Sequence, residues 1–142
     1  MAEVEILRGA CLCGAVRFEI DPPTRFCAHC HCSMCRRAHG APLVTWSGVP
    51  DSQFRLIAGA DLLRDYTSSP EATRSFCSRC GSTLLFRSTR WPGEVHVASA
   101  NLDRLDRTPV AHVFFSDRAA WFECDDGLIK RGGASGLEAI ES

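Results

Sequence analysis

Nine cysteines stand in the 142-residue chain, at positions 11, 13, 27, 30, 32, 35, 77, 80 and 124, and two pairs of them share a pattern. Cys11-Leu12-Cys13-Gly14 and Cys77-Ser78-Arg79-Cys80-Gly81 each set two thiols ahead of a glycine. A chain that folds back to aim two sulfurs at one ion needs a tight turn, and where that turn demands a positive φ, glycine adopts it at least cost. Together the two arms supply four thiolates, the number that a closed tetrahedral zinc site takes, with Zn–S distances of about 2.3 Å. An ion held between such distant segments would pin the first strands to the middle of the chain and add its binding energy to folding.

Between the arms runs Cys27-Ala28-His29-Cys30-His31-Cys32-Ser33-Met34-Cys35, a density of thiols and imidazoles that packing alone does not call for. If all four cysteines bind a metal, the site is closed and structural. If only Cys30, Cys32 and Cys35 bind, a fourth position is open to water or substrate, the arrangement of catalytic zinc. An iron–sulfur cluster also takes four thiolates, although the local crowding leaves it little room. Zinc with three thiolates carries a formal charge of about -1, and Arg36 and Arg37 follow the third thiol directly. They could offset that charge or hold a substrate carboxylate by paired hydrogen bonds; the plain alternative is a solvated surface pair. His29, His31 and His39 flank this segment, and one of them could partner a thiolate. The remaining chemically able residues read as structural: His112 as a satisfied core histidine, Asp103 as a turn former, Trp46, Trp91 and Trp121 as core, and Cys124 as a buried thiol.

The elements that must position these groups are short strands. Ala15–Ile20 alternates apolar and polar residues and stops at Asp21-Pro22-Pro23, which is a strand followed by a turn. Further strands are expected at Leu43–Trp46, Phe54–Ile57, Leu62–Tyr66, Arg74–Phe76, Thr83–Phe86, Glu94–Ala98 and Val110–Phe115, separated by stretches rich in Gly, Pro, Ser and Asp. Ser33–Ala38 can make one or two helical turns with Ser33 as N-cap. The pattern predicts an all-β fold, with 1–131 as a single domain and 132–142, rich in small residues, as a loose C-terminal tail.

Composition excludes several function classes. Sixteen Lys and Arg stand against seventeen Asp and Glu, a net charge of -1, so there is no positive field to hold a phosphate backbone and no nucleic-acid partner is expected. No apolar run approaches the ~18 residues of a membrane span, and the Met-Ala-Glu-Val-Glu start lacks the features of a signal peptide. A cytoplasmic protein is expected. There, close-set cysteines bind metal more often than they form disulfides, and an odd number of them fits ligands plus a spare thiol better than a closed disulfide framework.

Taken together, Cys11-Leu12-Cys13-Gly14-Ala15-Val16-Arg17-Phe18, Cys30-His31-Cys32-Ser33-Met34-Cys35-Arg36-Arg37-Ala38-His39-Gly40 and Phe76-Cys77-Ser78-Arg79-Cys80-Gly81-Ser82 resemble the glutathione-dependent formaldehyde-activating family, which includes the centromere protein V group. The likeness continues through Asn101-Leu102-Asp103 and Pro109-Val110-Ala111-His112 to Trp121. The resemblance implies a β-tent fold of two antiparallel sheets. It implies two zinc ions: a structural one on Cys11, Cys13, Cys77 and Cys80, and a second on Cys30, Cys32 and Cys35 with an open position. It also implies a carbon–sulfur lyase acting in the synthetic direction, which joins glutathione and formaldehyde as S-(hydroxymethyl)glutathione. Two departures stand out: Cys27 lies outside the family's ligand pattern and could close the second site, and Asn101 replaces a glycine that relatives often carry. The basic N-terminal extension of the centromere member is not in this sequence, so no chromatin partner is expected. The expected function is thus a zinc-dependent lyase acting on adducts of glutathione, or another small thiol, with formaldehyde or related electrophiles. The alternative is a non-catalytic, zinc-stabilised binding module.

Overall fold

A computed structural model describes residues 5–140. The N-terminal residues 1–4, on which the expectation about a signal peptide partly rested, and 141–142 of the expected tail lie outside the described residues. The strands are β1 (Leu7–Ala10), β2 (Arg17–Ile20), β3 (Phe26–Cys30), β4 (Val44–Pro50), β5 (Phe54–Ala58), β6 (Leu63–Ser69), β7 (Ala72–Cys77), β8 (Thr83–Ser88), β9 (Glu94–Ala98), β10 (Ala111–Val113), β11 (Ile129–Gly132) and β12 (Glu138–Ala139). One α-helix, α1 (Ser33–His39), and three short 3-10 turns complete the elements. None of the described helices is long and apolar enough to cross a membrane.

Two sheets form, as expected, but only one is antiparallel throughout. The small sheet has the order β1-β2-β5 and the large one the order β12-β11-β10-β3-β4-β9-β8-β7-β6. In the large sheet β10 runs parallel to both β3 and β11. The reason lies in the connections. Residues 99–110 lead into β10 and 114–128 lead out of it, and spans of that length can cross over and return in the same direction, whereas a hairpin turn cannot. Beyond Gly132 the chain does not stay loose: β12 pairs with β11 as an antiparallel hairpin.

Alternation along the strands of the large sheet separates two environments. Val49, Val95, Val97 and Leu85, with Leu84 at a break in the β7–β8 register, meet Phe18, Ile20 and Leu7 of the small sheet, all fully or almost fully buried. Each such side chain contributes roughly 1.5–3 kcal/mol on burial. On the other face Trp46, Val44 and Ala98 pack with Cys30 and Cys35, against Phe26, Phe86 and Phe114. The first face holds the layers together and the second builds a cavity. Helix α1 spans about two turns with Cys32, not Ser33, at its N-cap, and Cys35 is its buried residue.

Candidate metal centres and cavity

Cys11 follows β1 and Cys77 closes β7, and both belong to the core between the sheets. Gly14 and Gly81 stand at φ 78° and 82°, the left-handed turn the Cys-Gly pattern called for. In each turn the glycine N–H donates back to the carbonyl of the arm's first cysteine, Gly14 to Cys11 at 3.0 Å and Gly81 to Cys77 at 2.7 Å. The four sulfurs of Cys11, Cys13, Cys77 and Cys80 all lie within 4.8 Å of one another. Cys11 Sγ is 3.6 Å from Cys13 Sγ, which is 3.9 Å from Cys77 Sγ. A tetrahedron of sulfurs about 2.3 Å from zinc has edges of about 3.8 Å, so the polypeptide already spaces these thiols as a metal would. Further donors face the sulfurs: the Val16 N–H reaches Cys11 Sγ at 3.3 Å, and the Ser82 hydroxyl lies 3.2 Å from Cys80 Sγ. The Ser82 contacts, side chain first and backbone next, hold the Cys80 thiol down to about 5. These four cysteines could hold a metal ion.

Cys30 ends β3, Cys32 caps α1 and Cys35 lies in its first turn, so strand end and helix start bring Cys30 and Cys35 together, but among the described residues the three sulfurs do not form a group lying wholly within 4.8 Å, as the four of the first group do. Cys30 Sγ and Cys35 Sγ are 3.6 Å apart. Contacts with Cys30 and then Cys35 pull the Cys32 thiol far down, whereas contacts with Cys32 and then Cys35, and after them burial, push Cys30 up. Cys27 does not join them. Three residues before Cys30 on the same strand, it faces the other way, fully buried, with its sulfur 3.9 Å from both the Ser47 and the Ser99 hydroxyl.

A cavity of about 450 Å³ opens beside this trio, and Cys30, Cys32 and Cys35 line it. Its walls are largely apolar, with Trp46, Phe86, Trp91 and Phe114 among them; three arginines, Arg74, Arg90 and Arg131, interrupt them. Arg74 is buried, stacks over the Phe86 ring at 4.9 Å, and directs NH1 and NH2 at Cys35 Sγ, each at 3.6 Å. Burial, and after it the Arg74 charge, press His39 down to about 4.

The sequence pointed to other arginines. Arg36 donates to backbone carbonyls, Nε to His31 at 3.4 Å and NH2 to Asp117 at 3.1 Å, while Arg37 is exposed; neither lines the cavity. Arg74 carried no sequence signal, because it lies on a strand 39 residues away from Cys35 and only the sheet order brings it there. Asp103 ties its segment to β1, accepting from the Arg8 N–H at 3.1 Å. Trp46 and Trp91 form cavity wall, whereas Trp121 is 74% exposed rather than core.

The histidines divide. His29 Nδ1 lies 2.8 Å from the Thr45 hydroxyl. His31 and His112 are buried as a hydrogen-bonded pair, Nε2 to Nδ1 at 2.8 Å. The other nitrogen of His112 is 2.8 Å from Asp126 Oδ2 and 3.1 Å from Cys124 Sγ, so Cys124 is a half-buried partner of His112 and not an isolated core thiol.

The family model described as glutathione-dependent formaldehyde-activating enzyme matches residues 6–117. The chain belongs to that family. Among relatives of the formaldehyde-activating family, the chain is 31% identical over 128 residues to a candidate glutathione-dependent formaldehyde-activating enzyme of Halomonas elongata, covering 84% of this chain and 82% of that one. It is also 35% identical over 83 residues to an uncharacterized lyase of Schizosaccharomyces pombe, covering 57% of each. A crystal structure of a Rhodobacter sphaeroides protein superposes with a TM-score of 0.60 at 29% identity, over 72% of this chain and 97% of that one.

Proposed function

We propose that the chain is a zinc-dependent enzyme of the carbon–sulfur lyase type, acting on adducts of glutathione, or another small thiol, with formaldehyde or a related electrophile. The observation that carries this reading is that Cys30, Cys32 and Cys35 line one cavity, with Cys30 and Cys35 in contact and the Arg74 guanidinium directed at Cys35 on its wall. Family membership and the relatives' names supply the reaction class. In this reading two zinc ions serve each chain: Cys11, Cys13, Cys77 and Cys80 hold a closed structural ion, and Cys30, Cys32 and Cys35 hold a second with one position free. When bound, the second ion supplies acidification of a thiol or polarisation of a carbonyl. The cytoplasm suits nine unpaired cysteines, since its thiol pools keep them reduced.

The chain's own residues do the rest. Arg74 offsets the negative charge gathered on the three thiols and fixes Cys35 through two N–H groups. Arg90 and Arg131 line the same cavity and, with one N–H of each given to the Ser135 and Leu137 carbonyls, keep further donors for the carboxylates of glutathione; Arg36, which does not line the cavity, does not take that role. The aromatic wall keeps bulk water from the bond being made. In the synthetic direction the thiol sulfur bonds to the aldehyde carbon, and the thiol proton ends on the former carbonyl oxygen.

Because glutathione and formaldehyde combine unaided, the test reads a rate. Exchange spectroscopy by NMR, with and without the zinc-loaded protein, is expected to show faster exchange between free and hydroxymethylated glutathione, and no acceleration with Cys32→Ser. Wild-type protein that carries two zinc ions and leaves exchange at the buffer rate for glutathione and other small thiols would overturn the reading.

A further inference from the structure

His112 offers its two ring nitrogens to different neighbours. Nδ1 faces His31 Nε2 at 2.8 Å, while Nε2 faces Asp126 Oδ2 at 2.8 Å and Cys124 Sγ at 3.1 Å together. An imidazole nitrogen carries one proton or one lone pair, so Nε2 makes a single linear hydrogen bond to one of these groups at a time, while Cys124 and Asp126 also contact each other. A cation among the three satisfies all of them at once, because nitrogen, sulfur and oxygen each turn a lone pair to it.

The three ligand atoms lie within 4.8 Å of one another. Ligands about 2.0–2.3 Å from zinc sit about 3.3–3.8 Å apart, so Cys124 and Asp126 need to draw back by roughly half an ångström. Both belong to the irregular segment 118–128, outside any strand or helix, which can yield that much. His112 is the fixed member, 1% exposed on β10. His31 is the outer partner such a ligand calls for: accepting from Nδ1–H, it directs the Nε2 lone pair at the ion. A thiolate and a carboxylate balance a dication, and exposed Glu123 and Asp125 flank them.

We propose that His112, Cys124 and Asp126 form a further metal site, distinct from both cysteine groups, that takes a zinc-class divalent cation and leaves one position open to water or a small ligand. The mixed N, S and O donors select zinc, cobalt or nickel over magnesium or calcium, which take oxygen. Bound there, the ion fastens segment 118–128 over the pair of buried histidines, where Phe115 already packs edge-on to His31 at 5.0 Å.

The test uses the full chain with Co²⁺, and separately Zn²⁺, as the only added ligand. Native mass spectrometry is expected to count one more ion on the wild type than on Cys124→Ser or Asp126→Asn, with the other sites unchanged. In the wild type itself, alkylation of Cys124, followed by peptide mapping, is expected to slow at least tenfold with saturating Zn²⁺. Equal ion counts in wild type and Cys124→Ser, or a Cys124 alkylation rate indifferent to zinc, would overturn the proposal. Neither readout involves turnover, so failure here leaves the proposed lyase reading untouched.

Discussion

Arg74 directs both terminal guanidinium nitrogens at the sulfur of Cys35, 3.6 Å from each. No carboxylate forms an ion pair with Arg74 among the described residues, so the thiol group is its electrostatic partner. A hydrogen bond to a charged group is worth about 1.5–3 kcal/mol, or roughly 10–100-fold in a rate that depends on it. Arg74→Met keeps the bulk over Phe86 and removes the charge. It is expected to cut the acceleration of adduct exchange by about that factor, with a thermal midpoint close to wild type and partial recovery in Arg74→Lys. An unchanged exchange rate in Arg74→Met would show that the charge does not serve the reaction.

The two cysteine groups should fail differently. Cys77 is fully buried in the core between the sheets, and its arm joins β7 to the turn after β1. Cys32 sits half-buried at the helix start, with its partners close in sequence. Cys77→Ser is therefore expected to cost several kcal/mol of stability and one zinc. Cys32→Ser should cost one zinc and only a few degrees of melting temperature. Calorimetry and metal analysis on the same preparations check this, and equal loss of folding in both variants would contradict it.

How legible this was in the sequence depended on distance along the chain. The Cys-Gly arms were readable because each forms a local turn, and Gly14 and Gly81 have the backbone sign that pattern requires. Glu94–Ala98 was bounded correctly because its apolar residues alternate between two turn signals. Strand β3 escaped notice: its Cys and His residues read as a metal loop, although Cys27, His29 and His31 face one way and Phe26, Ala28 and Cys30 the other. Charge near a ligand was sought next door, at Arg36 and Arg37, while sheet order brings Arg74 to Cys35. The link from His112 to Cys124 and Asp126 likewise depends on where segment 118–128 returns, which no local pattern encodes.

Cys27 offers a test of which thiols belong to the second site. It lies between two serine hydroxyls on the far side of β3 from Cys30, so its sulfur contributes packing. Cys27→Ala is expected to retain all bound zinc under a mild chelator and to lose about 1 kcal/mol of stability, the cost of a small buried void. Loss of one zinc ion from this variant would mean that the site closes around four thiols.

His39 makes the acid side of the stability profile testable. Its ring packs edge-on to Trp46 at 5.4 Å, and burial first, with the Arg74 charge second, lowers its pKa from 6.5 to about 4. Between those values the unfolded chain binds a proton that the folded chain refuses. Stability is then complete above pH 6.5, falls as pH drops towards about 4, and has no further contribution from this group below that. One proton limits the slope to about 1.4 kcal/mol per pH unit. Acid also releases metal by protonating thiolates, so the informative quantity is the difference between wild type and His39→Gln, which keeps a polar side chain but cannot titrate. Urea midpoints taken from pH 7.5 to 5 are expected to fall less steeply in His39→Gln. Parallel profiles would assign the acid loss to other groups instead, the metal sites or His31, which burial also lowers to about 4.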